Sequence, residues 1–225
     1  MSRRTTIFAP GEIYHIFNRS IARQPIFNST RNNERALDLL SYYQRANPPL
    51  RYSHFNRLTQ DAQNLYKQKL TLLPKHVSIF SFCLMPNHFH LLVKELLPNG
   101  IKTFMSNFQN GYAKYINLKE NRSGSLFQAM FKAVLIETDE QFTHVGRYIH
   151  INPLTSFILR NSEELYTYRW SSFADYNSDA NLFIDKNFML EMFPSLKKFN
   201  EFTLDQVEYQ RDLELIKHLT LEEVP

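Results

Sequence analysis

The run Phe82-Cys-Leu-Met-Pro-Asn-His-Phe-His-Leu-Leu-Val-Lys94 constrains the fold more than any other part of the chain. Side chains alternate faces along a strand, so Phe89, Leu91 and Val93 form one apolar face while His88, His90, Leu92 and Lys94 form the other. Such a strand belongs to a sheet with one face on a helix layer and one on a site. Val77 to Leu84 reads as the strand leading into the Met-Pro turn, and His88 to Glu95 returns antiparallel to it. Two imidazoles side by side can hold a divalent metal, although a strand of purely structural role can carry the same pair.

A second segment, Thr138-Asp-Glu-Gln-Phe-Thr-His-Val-Gly-Arg-Tyr-Ile-His-Ile-Asn-Pro153, reads as a short helix. Thr138 and Gln141 form a capping box, Asp139 and Glu140 suit the positive helix end, and Pro153 disfavours continuation. Tyr148 and Asn152 share a face, with His144 one turn before them. Phe142, Val145 and Ile149 are the side expected to pack on the sheet, and His150 falls nearly opposite Tyr148. Read alone, Tyr148 is a half-buried helix tyrosine with its hydroxyl at the surface.

The remaining elements follow from periodicity and breakers. Ile13 to Ser20 is a first strand, Asn33 to Gln44 a helix stopped by Asn47-Pro-Pro49, and Leu58 to Leu73 a second helix closed by Pro74. Ile101, Met105, Phe108, Tyr112 and Tyr115 mark an amphipathic packing helix, and Leu126 to Glu137 reads as a long strand. The order is that of an α+β protein with a ferredoxin-like antiparallel sheet flanked by helices. Residues 1–175 are expected to form the main domain, with a helical insertion at 45–75. Residues 176–225 form a C-terminal helical extension in which Leu182, Phe183, Phe188, Met189, Met192 and Phe193 are apolar enough to dock. Its end, Leu221-Glu-Glu-Val-Pro225, is acidic.

The ordered motifs Met-Pro-Asn-His-Phe-His, Gly-Ser-Leu-Phe-Gln-Ala-Met-Phe-Lys-Ala-Val, Arg-Tyr-Ile-His-Ile-Asn-Pro and Tyr-Arg-Trp-Ser-Ser-Phe resemble those of the single-tyrosine, HUH-type transposases. The likeness runs from about Glu12 to Phe173 and points to the REP-associated branch, with its HUH endonuclease core. It implies that His88 and His90 bind a catalytic divalent metal, with Asn152 completing the coordination. It further implies that Tyr148 attacks a phosphodiester of single-stranded, hairpin-containing DNA. Related replication and conjugation nucleases often carry a second tyrosine on the same helix; this chain has Asn152 one turn on, which favours the one-tyrosine class. The family includes members whose tyrosine helix comes from a dimer partner and branches that are monomeric, so both states stay open.

The chemistry needs these residue types. A phenol with pKa near ~10 is a poor nucleophile at neutral pH and needs a base, a favourable field or a polarised phosphate. Two neutral imidazoles and an amide oxygen add no charge to the metal; Mg2+ prefers oxygen ligands, and Mn2+ suits the nitrogen-rich set at least as well. Water or Glu137 are alternatives to Asn152 as third ligand. Attack by Tyr148 leaves a 5′-phosphotyrosine and a free 3′-hydroxyl, and the reverse reaction rejoins strands without ATP. No Walker-type loop is present. Two other classes remain open: a domesticated, non-catalytic binder of structured DNA or RNA, and a His-metal hydrolase with no covalent intermediate.

Lys and Arg number 26 against 22 acids, a formal charge of +4 with pI near 9.1, a mild excess compatible with DNA. Contact with six to ten phosphates would cost about a thousandfold in affinity or more between low and moderate salt. Arg19, Arg23, Lys119, Arg122, Lys132 and Arg147 are the candidate DNA contacts, though each singly is an ordinary surface charge. Arg45, Arg51, Arg57, Lys67, Lys69 and Lys75 in the insertion read as a solvated outer face, with contact to a hairpin stem as the alternative. The lone Cys83 excludes an internal disulfide and reads as a core residue in a reducing cytoplasm. Met1-Ser-Arg-Arg-Thr-Thr6 lacks a signal peptide's apolar run, and no segment reaches the ~20 apolar residues of a membrane span, so the expectation is a cytoplasmic protein without a membrane partner.

Overall fold

The computed structural model describes residues 6–178 and 183–211. In chain order the elements are β1 (Ile13–Arg19), a 3-10 turn (Ile21–Arg23), α1 (Thr30–Tyr43), α2 (Tyr52–Phe55), α3 (Gln60–Thr71), β2 (Val77–Met85) and β3 (His88–Glu95). They continue with α4 (Gly100–Lys119), β4 (Lys132–Ile136), α5 (Asp139–Thr155), α6 (Ser162–Leu165), α7 (Phe173–Tyr176), α8 (Lys186–Leu190) and α9 (Leu196–Leu204). The sheet order is β2-β3-β1-β4 with every neighbouring pair antiparallel, which is the ferredoxin-like arrangement. Among the described residues no helix is long and apolar enough to cross a membrane.

Two apolar layers sandwich the sheet. Tyr14 and Ile16 of β1 and Phe89, Leu91 and Val93 of β3 pack with Leu39 and Leu40 of α1 and Phe104, Phe108 and Tyr112 of α4. On the other face Cys83 and Leu92 meet Phe142 and Ile149 of α5, joined by Tyr176, Met189 and Phe199. β2, buried along its whole length, serves both layers. The C-terminal elements thus belong to the second core. Phe188 stacks on Phe80 and meets Phe142 edge-on, whereas Phe183, just before α8, stacks on Phe82 of the first core. Leu182 and the acidic end Leu221-Glu-Glu-Val-Pro225 lie outside the described residues, as do residues 1–5.

The outer edge of β2 is covered by the Trp170-Ser-Ser172 segment. Leu84 N–H donates to Trp170 O at 2.8 Å and Ser172 N–H to Phe82 O at 2.9 Å, so the edge does not offer an open ladder to another chain. Trp170 packs against the first core from a partly buried position.

Several boundaries differ from the sequence expectation. α1 starts three residues before Asn33 because Ser29, extended, caps Asn32 N–H. The helix expected from Leu58 starts at Gln60, with Thr59 as its cap, and is preceded by the single turn α2. The strand expected from Leu126 to Glu137 is ordered as strand only over β4. Before it, Phe127 makes an isolated bridge with Ser20, while Leu126 and Phe127 turn into the first core. β1 cannot hold a longer partner because the chain leaves the sheet at Ala22 and Arg23, both at positive φ. Pro153 lies inside α5 and the helix continues to Thr155. It ends with Phe157 at φ 56°, where Phe157 N–H donates to Leu154 O and Ile158 N–H to Pro153 O, the pairing of a Schellman cap.

Candidate active site

The site begins with strand parity and register. Phe17 of β1 lies between His90 and Lys132, and Arg19 lies opposite His88. Cys83 and Met85 of β2 continue these rows beyond His90 and His88. Directly opposed residues share a face, so one surface carries His15, Phe17 and Arg19 beside His88 and His90, with Lys132 at its margin. The opposite surface holds the apolar residues of the α1–α4 layer.

α5 crosses this surface and brings Tyr148 to the histidines within a single chain. The Tyr148 ring stands edge-on to His90 at 5.4 Å between centroids and to His15 at 6.1 Å. His88 and His90 are 5.1 Å apart, their planes nearly perpendicular. Tyr148 keeps 37% of its surface exposed although its ring is packed. The helix begins where Thr138 caps Gln141 N–H, while the Gln141 side chain accepts from Glu137 N–H at 2.8 Å, one residue earlier than a standard capping box. Phe142 and Ile149 are buried against the sheet as expected, with Val145 partly so.

His150 anchors the other side of α5. It is fully buried, its Nε2 is 3.0 Å from Ser172 Oγ, and its backbone carbonyl accepts from Ser171 Oγ at 3.2 Å. Ser172 Oγ in turn accepts from Phe82 N–H. The Arg-Tyr-Ile-His and Trp-Ser-Ser-Phe motifs are therefore one joint that fixes α5 to β2 and so sets the height of Tyr148 above the sheet. Gly146 makes room beneath the helix, since a Cβ there would collide with the end of the Met189 side chain.

The histidines are neutral. Burial pushes His15 down to about 4; burial and then the Arg19 charge push His88 to about 4; burial, His15, His88 and Arg19 together hold His90 well below the usual histidine range. Neutral imidazoles suit metal ligation. The hydrogen bonds also select the nitrogens. His88 Nδ1 lies 2.6 Å from Asn87 Oδ1, which can only accept, so His88 presents an unprotonated Nε2. His90 Nδ1 lies 3.0 Å from His15 Nε2, leaving His90 Nε2 as its outward nitrogen. Among the described residues no group of three or more His, Cys, Asp or Glu is arranged to hold a metal. A cation held by this pair would draw its other ligands from amides, water or substrate oxygens.

Sequence reading missed His15 and Asn87. The alternation of β1 puts His15 on the right face, but only the register with β3 makes it a neighbour of His90. Asn87 lies within the Met-Pro-Asn-His motif, and its side chain holds both His88 and, through Nδ2, the Arg23 carbonyl.

The other candidates are dispersed. Asn152 is buried one turn beyond Tyr148. Arg19 and Lys132 belong to the histidine surface, with Lys132 Nζ 5.9 Å from the Phe17 ring. Arg23 is in the turn beside Asn87. Lys119 donates to Asn32 Oδ1 at 2.7 Å in the helix layer across the sheet, and Arg122 follows it. Arg147 lies 4.4 Å from the Phe202 ring and donates to Phe202 O and His144 Nδ1, which occupies its guanidinium at the α9 junction.

Residues 49–152 match the model of the family described as "Transposase IS200 like", a span that includes His88, His90, Tyr148 and Asn152. No curated protein matches the chain. Among solved structures the fold is similar to a REP-associated tyrosine transposase bound to a REP hairpin, with a TM-score of 0.53 and 14% identity. The match covers 80% of this chain and 87% of that one.

Proposed function

We propose that the protein cleaves and rejoins single-stranded DNA near a hairpin, with Tyr148 as nucleophile, a reading supported by the match of residues 49–152 to the IS200-like transposase family. The observation that carries this reading is the Tyr148 ring packed on His90 and His15, above the His88–His90 pair. In the forward step the phenol gives its proton to a base and its oxygen bonds to phosphorus. The phosphorus–O3′ bond breaks and the departing 3′-oxygen takes a proton. The product is a 5′-phosphotyrosine and a 3′-hydroxyl, and the reverse step restores the strand with no external energy source.

His88 and His90, through their Nε2 atoms, with Asn152 as the amide ligand, would hold Mg2+ or Mn2+. That cation would supply charge stabilisation at the scissile phosphate when bound. The chain's own part is to keep both imidazoles neutral and aimed, through Asn87 and His15, and to hold Tyr148 close. Arg19 and Lys132 add positive charge on the same surface, suited to a phosphate backbone. Hairpin DNA is the partner this reading requires; the similar transposase structure, itself bound to a REP hairpin, supports that choice.

Cleavage of end-labelled hairpin DNA by wild type, Tyr148→Phe and His88→Ala, with Mn2+, Mg2+ or chelator, tests the proposal. Loss of cleavage in both variants is expected. Cleavage surviving in Tyr148→Phe but lost in His88→Ala would identify a metal hydrolase instead, and binding with no cleavage under any condition a non-catalytic DNA binder.

A further inference from the structure

A cleft of about 720 Å3 opens between α1, α4 and the segment around α2, across the sheet from Tyr148. Four cations line it, Arg35, Arg51, Arg57 and Lys114, and no Asp or Glu is among the described residues lining it. Its volume lies within the ~300–1,000 Å3 of small-ligand sites.

Arg35 is held ready. Its guanidinium lies 4.8 Å from the Tyr52 ring centroid and 5.0 Å from that of Tyr115. Tyr52 is itself fixed, its hydroxyl donating to Asp38 Oδ2 at 2.7 Å and its N–H to the Tyr43 hydroxyl at 3.2 Å. Asp38 is thus occupied by a tyrosine, and among the described residues Arg35 makes no ion pair. Arg51 and Arg57 are exposed on the rim. Arg45 of the insertion serves the fold instead, donating to Thr71 O and Leu73 O.

A planar guanidinium set between aromatic rings, further cations at the mouth and partly exposed Tyr43 and Tyr115 match a phosphate with an attached planar base. We propose that this cleft holds one unpaired nucleotide of the hairpin-bearing strand, its phosphate on the arginines and its base against the tyrosines. The identity of the strand rests on the transposase reading; the nucleotide chemistry rests on the cleft alone. A strand bound here and at Tyr148 would be gripped on both faces of the sheet.

The test uses the full chain and hairpins carrying 4-thiothymidine at each unpaired position. After irradiation, crosslinked peptides are mapped by mass spectrometry, and the Tyr148 adduct is read on the same gels. Crosslinks to peptides containing Tyr43 or Tyr115 are expected. Arg51→Gln/Arg57→Gln should lower the slope of log affinity against log salt by about 1 to 2. Crosslinks confined to other regions, or an unchanged salt slope, would overturn the proposal. Saturation of the cleft by free thymidine monophosphate without any crosslink from the strand would also overturn it, in favour of a free nucleotide. An adduct without cleft crosslinks would fault only this inference; cleft crosslinks without an adduct would fault only the Tyr148 reading.

Discussion

His15 shows how much one hydrogen bond decides at this surface. With His90 Nδ1 turned to it, His90 has a single nitrogen left to offer, and under the proposed metal role a partner that orients a ligand imidazole in this way is commonly worth ~10–100-fold in metal affinity. His15→Phe should therefore weaken Mn2+ binding by about that factor in a calorimetric titration, while the fold survives. His150 makes a different prediction. Burial lowers it from the ordinary 6.5 to about 3, so below pH 6.5 the unfolded chain takes up a proton that the folded chain refuses. Its contribution is fully present above 6.5 and drains away as pH falls toward 3, amounting to about 2 kcal/mol between pH 7 and 5. Urea denaturation at the two pH values should show a loss smaller by about that amount in His150→Gln than in wild type.

Elements differ in how openly the sequence declared them. β3 runs from His88 to Glu95 as its alternation predicts, because a strand with one apolar face has a single acceptable parity. α5 begins at its Thr138 cap for an equally local reason. β4 was overestimated because Leu126 and Phe127 are apolar enough to extend a strand, yet their partner β1 has already turned away. Side-chain pairing across β1 and β3 is a property of register, which no single segment carries, and that is why His15 stayed hidden. Gly100 is a tertiary requirement too: a Cβ there would collide with the backbone carbonyl of His76, which cannot swing aside as a side chain can. Gly100→Ala should cost about 1–3 kcal/mol in urea unfolding, whereas Gly146→Ala, which meets only the flexible end of Met189, should cost less.

At the scale of the whole molecule, the sheet separates two regions of different chemistry. One face brings neutral histidines to an exposed tyrosine under α5; the other, beyond the α1–α4 layer, carries a cationic and aromatic cleft. The formal charge of +4 is too small to serve as a general attraction, so DNA affinity should come from these local clusters. Hairpin binding should weaken steeply with salt, by about a thousandfold from 50 to 200 mM if six or more phosphates are engaged, as fluorescence anisotropy would show. The ferredoxin-like order could be read from the succession of elements and the docking of the C-terminal helices from their apolar residues, but which face of the sheet Met189 and Phe199 close could not, because it depends on long-range packing. Mass spectrometry of protein treated with Mn2+ and a cleavable hairpin tests directly whether Tyr148 becomes covalently joined to DNA: a tryptic peptide containing Tyr148 with a 5′-linked nucleotide is expected, and its absence while strands are nevertheless cut would rule out Tyr148 as the nucleophile.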